Sequence, residues 1–166
     1  MSAPVLFITG ASRGIGAATA IHFASQGWRV AITARTLTEG AQHAHQLRKP
    51  DGTLLSGSLE STAAQIREVG GEVFAHAMDL MDIASLDRAT DAVLAQFGRV
   101  DLLINNAVYQ DREVNALLPD LGVDALARTM QGNVYAPFHL AQRLLPGMVN
   151  QGAGRIINVC SAAGQF

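Results

Sequence analysis

The chain has 166 residues, of which 49% are hydrophobic and 16% are charged, and its 12 basic and 14 acidic side chains give a net charge of −2. A chain of this length buries a substantial apolar core without disulfides or metals. The composition excludes a disordered tail and a coiled coil, and the near-neutral charge argues against nucleic-acid binding. Lys49 is the only lysine, so any chemistry that needs a lysine depends on it.

Cysteine content and hydropathy indicate the compartment. Cys160 is the single cysteine, which fits a reducing, cytoplasmic setting. The first apolar run lacks the basic segment of a secretory signal, so we expect none. The longest uncharged stretches, such as residues 14–28, are too short and too polar to cross a membrane. We therefore expect a soluble cytoplasmic protein that does not contact a membrane.

Apolar runs of strand length alternate with segments of helical periodicity along the chain. This alternation is typical of βαβ units and of a parallel sheet that is covered on both faces. The predicted strands are residues 5–9, 29–34, 73–78, 100–105 and 155–160. The sequence therefore predicts an α/β fold.

Three apolar stripes with helical spacing lie between the predicted strands. In chain order they are Ala17, Ile21 and Ala24; Leu86, Ala89, Val93 and Phe97; and Val134, Phe138, Ala141 and Leu145. The second helix begins after an N-cap at Asp82 and ends before Gly98. The third is predicted to end near Pro146 and Gly147.

One irregular stretch, residues 37–59, is longer than the usual connection between elements of an α/β fold. It contains two strong turn signals, residues 48–52 and 56–58, and we interpret it as an inserted loop. One reading is a tolerated surface insertion, because lengthening a loop has a small entropic cost. The other is a flap beside a ligand, since the stretch leaves the carboxyl end of the second strand.

A glycine-rich turn follows the first strand directly and opens a helix. Gly10 permits the tight turn, Gly14 lets the backbone approach a pyrophosphate, and Gly16 lets the helix pack closely on the strand. The helix N-terminus offers unpaired N–H groups to anionic oxygens. We therefore predict dinucleotide binding at this turn. Its candidate binding residues are Gly10, Ser12, Arg13, Gly14, Ile15 and Gly16.

This turn resembles the cofactor motif of the short-chain dehydrogenase/reductase family, and four further segments match that family in the same order. They are Asp79-Leu80, Asn105-Asn106-Ala107-Val108, Asn133 and Ser161. Val108 is a departure, because the family has glycine there. The resemblance implies a Rossmann-like doubly wound parallel sheet in the order 3-2-1-4-5. It also implies an NAD(P)-binding domain over residues 1–166 that is truncated after the fifth strand.

The resemblance assigns a role to each matching residue. Asp79 would accept from the adenine amino group, Leu80 would contact adenine through its backbone, and Asn106 and Ala107 would line the nicotinamide ribose. Ser161 would orient a carbonyl, and Asn133 would anchor a proton-relay water. The implied reaction is hydride transfer between a nicotinamide and a small-molecule carbonyl or secondary alcohol. The residues alone leave another reading open, in which Asn105 and Asn106 merely end a strand.

Charge indicates which nicotinamide cofactor is bound. NAD-dependent enzymes place a carboxylate near the end of the second strand, but residues 28–38 contain no acid. Arg35 follows that strand directly, and Arg13 lies in the glycine turn. Two guanidiniums from separate loops would clamp a 2′-phosphate, so we predict NADP (NADPH). The alternative is that both are ordinary solvated arginines.

The family's proton donor and its lysine have no counterpart in the sequence. The resemblance places Tyr-x-x-x-Lys about a dozen residues after the serine, whereas five residues follow Ser161. Tyr109 is followed four residues on by Glu113, and Tyr135 by His139. A phenol without a neighbouring cation keeps a pKa near 10 and is a poor acid-base group at neutral pH. We expect this chain to be inactive by itself.

Two function classes follow from these observations. The chain is either the N-terminal portion of an NADP-dependent short-chain oxidoreductase or a complete, non-catalytic dinucleotide-binding or regulatory module. A third reading, an unrelated flavin or nucleotide binder, is weakened by five motifs in register. The resemblance implies a homo-oligomer at full length, with the helix that contains Asn133 in the interface, and leaves the substrate open.

Two other residue types carry no predicted role. We expect Cys160, at the end of an apolar strand, to be a small buried packing residue. His43 and His45 are two residues apart, which points them to different faces of a helix, and no third ligand lies near them in sequence. We therefore predict no metal site.

Overall fold

A computed structural model describes residues 2–41, 43, 51–110 and 117–161. The strands are β1 (Val5–Thr9), β2 (Arg29–Ala34), β3 (Val73–Ala77), β4 (Leu102–Asn105) and β5 (Arg155–Asn158). The helices are α1 (Gly14–Ser25), α2 (Leu59–Glu68), α3 (Ile83–Phe97), α4 (Val123–Met130) and α5 (Ala136–Asn150). A 3-10 turn, Leu118–Asp120, precedes α4, and a π-helical segment, Gln131–Tyr135, joins α4 to α5.

The five strands form one parallel sheet in the order β3-β2-β1-β4-β5. The predicted Rossmann-like α/β fold and its strand order are confirmed. The observed strands start or end one or two residues inside three of the predicted ranges: β3 ends at Ala77, β4 begins at Leu102 and β5 ends at Asn158. Such differences are ordinary at element ends.

The central strand β1 is buried along its whole length and divides the core into two layers. Val5 and Phe7 pack into a layer formed with α3 and α5, whereas Leu6 and Ile8 pack into a layer formed with α1 and α2. Successive side chains of a strand point to opposite faces, so an all-apolar strand requires cover on both sides. Because both faces of β1 are covered, a ligand can approach this strand only at its carboxyl end, where the loops leave the sheet.

Helix α2 directly follows the irregular stretch, in a region where no helix was predicted. Ser58 caps it: the Ser58 hydroxyl accepts from the backbone N–H of Ser61 at 3.0 Å, and the Ser61 hydroxyl accepts from the backbone N–H of Ser58. Leu59 and Ile66 are buried on the face that packs beside α1. The helical spacing of Leu59, Ala63 and Ile66 is the signal that could have found it. The irregular stretch thus ends at Ser58, and residues 42 and 44–50 within it lie outside the described residues.

Helix α5 presents a different face to the sheet from the predicted one. The predicted stripe was Val134, Phe138, Ala141 and Leu145, whereas the buried residues are Ala136, Leu140, Leu144 and Met148. Phe138 is 66% exposed and Leu145 is 50% exposed. The predicted face is wrong because both series are apolar and both have helical spacing. Local sequence does not distinguish the two faces, whereas contact with α3 and β5 does.

The same helix continues through Pro146 to Asn150, so the predicted end near Pro146 and Gly147 is also wrong. Proline removes one backbone N–H and disfavours a helix interior. Here Pro146 is exposed, and the carbonyl that loses its partner can bond to water. Leu144 and Met148, on either side of the proline, are both buried in the core and hold the last turn in place.

Charged groups join α3 to α5 across the surface of this layer. A ring nitrogen of His139 on α5 lies 2.8 Å from a carboxylate oxygen of Asp87 on α3, and Arg143 lies close to Asp87 and Asp91. The hydrogen bond to His139 lowers the pKa of Asp87 below its ordinary value. These pairs are solvent-exposed and orient the two helices more than they stabilise them.

The fifth strand forms an edge of the sheet, as predicted, but it is more exposed than an apolar core strand. Residues 155, 157 and 158 are exposed, and Ile156 is half-buried. Cys160 is also exposed, so the expectation that it is a buried packing residue is wrong. The strand ends two residues before Cys160, and no layer of the described chain covers the backbone there.

Among the described residues, no helix combines the length and the apolar character that crossing a bilayer requires.

The choice of packed face on α5 can be tested with two adjacent leucines. Leu144 is 3% exposed and Leu145 is 50% exposed. Leu144→Ala should lower the free energy of unfolding by about 2–5 kcal/mol, because it leaves a cavity in the core. The matched control Leu145→Ala should lower it by less than about 1 kcal/mol. Urea denaturation measures both, and equal losses would show that the assigned face is incorrect.

Candidate functional site

The site is built around a hydrogen-bonded connection between the end of β1 and the end of β4. The buried Thr9 hydroxyl accepts from the backbone N–H groups of Asn106 at 3.1 Å and Ala107 at 2.9 Å. In return the Asn106 side-chain amide donates to the carbonyls of Thr9 at 3.0 Å and Gly10 at 3.3 Å. The two strand ends are therefore fixed to each other where the chain turns into α1.

This connection leaves no space for a side chain at Gly10 or Gly16. A Cβ on Gly10 would lie 2.7 Å from the Ala107 Cα, and one on Gly16 would lie 2.4 Å from the Gly10 carbonyl oxygen and 2.6 Å from the Asn106 amide nitrogen. Gly10 and Gly14 also have φ of +69° and +57°, which other residues rarely adopt. A Cβ on Gly14 would meet no atom within 4 Å, so it is the backbone conformation and not crowding that favours glycine at this position.

A cleft of about 220 Å³ opens beside this turn at the carboxyl ends of the strands. It contains eight of the residues that the sequence analysis proposes for cofactor binding: Gly10, Ser12, Arg13, Arg35, Asp79, Leu80, Asn106 and Ala107. Ligands of open parallel sheets bind at such a crevice, where the strand order reverses. Here β1 lies between β2 and β4, and the crevice lies at that point.

The two predicted phosphate-binding arginines line the same cleft from separate loops. One terminal nitrogen of the Arg13 guanidinium donates to the Gly57 carbonyl at 2.9 Å. The Arg13 Nε is buried and meets no hydrogen-bond acceptor within the described ranges. A buried N–H without a partner is unfavourable, and an anionic ligand in the cleft could supply one.

Asp79 and Leu80 form the wall of the cleft that follows β3. One Asp79 carboxylate oxygen accepts from the backbone N–H of Met81 at 2.9 Å, and the Asp79 N–H donates to the Ser85 hydroxyl at 3.1 Å. These bonds fix the carboxylate at the start of α3. Leu80 is 8% exposed, so it presents mainly its backbone to the cleft.

Asn133 lies in the π-helical segment between α4 and α5 and holds the chain after β4. Its side-chain oxygen accepts from the Tyr109 N–H at 2.8 Å, and its side-chain nitrogen donates to the Tyr109 carbonyl at 2.8 Å. A Cβ on the neighbouring Gly132 would lie 2.3 Å from the Tyr109 Cβ, so the two segments are in close contact. One acceptor position and one N–H of the Asn133 amide remain for a further partner.

Five of the proposed site residues do not line the cleft: Gly14, Ile15, Gly16, Asn133 and Ser161. The three glycine-turn residues open α1, with Ile15 70% exposed. Ser161 is exposed and follows β5. Asn105, the first residue of the asparagine pair, donates from its side-chain amide to the Asn158 side chain at 2.9 Å, which joins β4 to β5 beside it.

The cleft also contains residues that the sequence analysis did not propose. Thr36, His43 and Leu55 come from the segment after β2, and Val108 and Tyr109 come from the segment after β4. Tyr109 is buried, whereas Val108 is 64% exposed. His43 and Leu55 belong to the inserted stretch, residues 37–59. The flap interpretation predicts that this stretch lies beside a ligand, but it names no residue.

The described chain brings no three of its His, Cys, Asp and Glu side chains together in a group that could hold a metal ion. His45 lies outside the described residues.

A family model for short chain dehydrogenases matches residues 4–57 and 53–166. The chain belongs to the short-chain dehydrogenase family. Its relatives include an uncharacterised oxidoreductase of Mycobacterium bovis, 35% identical over 164 residues, and the D-threitol dehydrogenase of Mycolicibacterium smegmatis, 35% identical over 164 residues. These matches cover 97% and 96% of this chain, but 42% and 53% of those relatives. The chain thus spans about half the length of the curated relatives that it matches.

Solved structures of the family match the fold with comparable coverage. A metagenomic short-chain oxidoreductase in complex with NADP is 32% identical with a TM-score of 0.78, over 98% of this chain and 64% of that one. An NAD⁺-bound xylitol dehydrogenase is 30% identical with a TM-score of 0.77, over 98% of this chain and 54% of that one. Short-chain dehydrogenases of this fold are therefore seen with both nicotinamide dinucleotides.

The connection between β1 and β4 can be tested by a change that keeps shape. Thr9→Val removes the oxygen that accepts from two backbone N–H groups, and it should lower the free energy of unfolding by about 1–3 kcal/mol. The control is Thr33→Val on β2, since Thr33 is equally buried but makes one long bond, 3.4 Å to the Ile8 carbonyl. Urea denaturation should show a smaller loss for the control. Equal losses would show that the Thr9 oxygen contributes little to this junction.

Proposed function

We propose that the chain binds NADP(H) in the cleft as the cofactor-binding part of an oxidoreductase that interconverts a small-molecule carbonyl and a secondary alcohol. The observation that carries this proposal is the convergence of Arg13 and Arg35 on one cleft beside the glycine turn. Guanidinium groups form forked, charge-assisted hydrogen bonds with phosphate. The cofactor itself would supply the hydride donor or acceptor.

The described residues fit such a cofactor in three ways. The glycine turn offers backbone groups to a ligand, because Gly10 and Gly16 pack too closely against their neighbours to carry side chains. The N-terminus of α1 offers its first N–H groups to a pyrophosphate. The unpaired Nε of Arg13 lacks an acceptor that a ribose phosphate would provide. We assign the adenine contacts to Asp79 and the backbone of Leu80, and the contacts of the nicotinamide ribose to Asn106 and Ala107; all four residues line the cleft.

The additional 2′-phosphate on the adenosine ribose distinguishes NADP from NAD. No carboxylate occurs at residues 28–38, and the charged residues of the described ranges that line the cleft are Arg13, Arg35 and Asp79. A carboxylate at the end of β2 would repel a 2′-phosphate, whereas Arg35 at that position attracts one. Related structures hold either NADP or NAD⁺, so the choice of NADP depends on the two arginines.

We further propose that these 166 residues alone bind cofactor without turnover. Ser161 and Asn133 can orient a carbonyl and hold a water, but proton transfer to an alkoxide needs an acid of suitable pKa. Neither Tyr109 nor Tyr135 has a lysine four residues further on, and Lys49 has no tyrosine four residues before it. The substrate class therefore rests on the family and not on a complete catalytic set.

The cofactor proposal predicts a difference between two titrations. The purified chain should bind NADPH more tightly than NADH, as measured by fluorescence or calorimetry. Arg35→Ala and Arg13→Ala should each raise the Kd for NADPH by about 10- to 100-fold, which is the worth of a charge-assisted hydrogen bond. Both variants should bind NADH nearly as before. The control is Arg67→Ala on the exposed end of α2, which should change neither Kd.

Equal affinity for NADPH and NADH, or an NADPH affinity that Arg35→Ala leaves unchanged, would refute the assignment of the 2′-phosphate site.

The turnover proposal predicts that NADPH absorbance stays constant when the chain is mixed with aliphatic, cyclic and aromatic ketones. An active ketone reductase assayed with the same reagents provides the positive control. NADPH oxidation by the purified chain that is lost in Ser161→Ala would contradict the proposal, since it would show a working acid-base group within these residues.

A further inference from the structure

The inserted stretch after β2 touches the glycine turn at Gly57. A Cβ on Gly57 would lie 2.5 Å from the Ser12 carbonyl oxygen and 2.9 Å from the Arg13 Cβ. Gly57 also has a φ of +116°, which side-chain-bearing residues rarely adopt. Backbone is therefore packed against backbone here, and glycine is the residue that permits it.

Two hydrogen bonds run through Gly57 in series. The Arg13 guanidinium donates to the Gly57 carbonyl at 2.9 Å. The Gly57 N–H is shared between the two carboxylate oxygens of Glu39, at 3.0 and 3.1 Å. The Glu39 side chain, near the start of the inserted stretch, thus holds Gly57 near its end, and Gly57 in turn holds the Arg13 guanidinium.

The ends of the stretch are themselves fixed to the fold. The backbone N–H of Leu59 donates to the Thr36 carbonyl at 2.9 Å, and that of Glu60 donates to the Leu37 carbonyl at 3.1 Å. Ser58, directly after Gly57, is buried and caps α2. The position of the Gly57 carbonyl is therefore set by α2 and the end of β2.

We propose that Glu39 and Gly57 are positioning residues for cofactor selection, which hold the Arg13 guanidinium at the site of the 2′-phosphate. The inference rests on the proposed NADP site and extends it to the inserted stretch. A long arginine side chain loses rotamer freedom when it binds a phosphate. An arginine side chain that a carbonyl already holds loses less rotamer freedom on binding. The smaller entropic cost increases the affinity for the phosphate-bearing cofactor.

The negative charge of Glu39 would have the opposite effect on NADPH affinity from the anchoring of Arg13. A carboxylate near a phosphate site weakens anion binding if it acts by charge. If Glu39 acts as an anchor, what matters is an acceptor for the Gly57 N–H. Glu39→Gln keeps an acceptor oxygen and removes the charge, whereas Glu39→Ala removes both.

The experiment measures the Kd values of the purified 166-residue chain for NADPH and for NADH. Glu39→Ala should raise the Kd for NADPH about three- to tenfold, the range expected for one side chain that must be ordered on binding. Its Kd for NADH should be unchanged. Glu39→Gln should restore NADPH affinity close to that of the parent, and Gly57→Ala should weaken NADPH binding at least as much as Glu39→Ala.

The matched control is Glu68→Ala, which removes an exposed carboxylate from the far end of α2. Thermal melting of each variant separates a local effect from loss of the fold. The inference is overturned if Glu39→Ala leaves the ratio of the two Kd values unchanged, or if Glu39→Gln binds NADPH more tightly than the parent. A parent chain that does not prefer NADPH would instead refute the proposed cofactor site, and the inference with it.

Discussion

Much of this structure depends on how closely the turn after β1 approaches the end of β4. Thr9 and Asn106 exchange hydrogen bonds across that gap, and the Asn106 amide occupies the space that a Cβ at Gly16 would need. Because the amide binds the carbonyls of Thr9 and Gly10, the polar groups of the turn are satisfied on the sheet side. Helix α1 begins directly after Ser12 and Arg13, which line the cleft, and its first N–H groups have no partner within the helix. The same contact thus joins the two strand ends and shapes one wall of the cleft.

The inserted stretch is best understood in relation to that turn. A surface insertion that did nothing would not require a glycine at φ +116° against Ser12, nor a carboxylate to hold that glycine. The stretch also contributes Leu55 and His43 to the cleft. These contacts, which involve the described part of residues 37–59, agree with the flap reading, which stays a prediction. Through Gly57 they connect the described part of this stretch to Arg13, the residue that we propose binds the 2′-phosphate.

Helix α5 shows where the sequence pattern was insufficient. The helix is apolar on two faces, and one of them lies on the sheet while Phe138, Leu145 and Val149 remain exposed. The predicted stripe falls on the uncovered face. Periodicity identifies an apolar face but carries no information about what covers it. The π-helical segment before α5 adds to the difficulty, since it breaks the regular spacing at Gln131–Tyr135.

By itself the sequence determined the α/β class and the positions of the five strands within about two residues, and it located the glycine turn that we propose as a dinucleotide site. These features are local, because apolar runs, helical spacing and glycine positions can be recognised in the sequence without knowledge of the tertiary contacts. Tertiary structure alone decided which face of α5 is buried, that Asn133 holds the backbone of Tyr109, and that Gly57 and Glu39 reach Arg13. Each of these involves residues far apart in the chain, whose contact is fixed by packing around β1 and not by any short-range pattern.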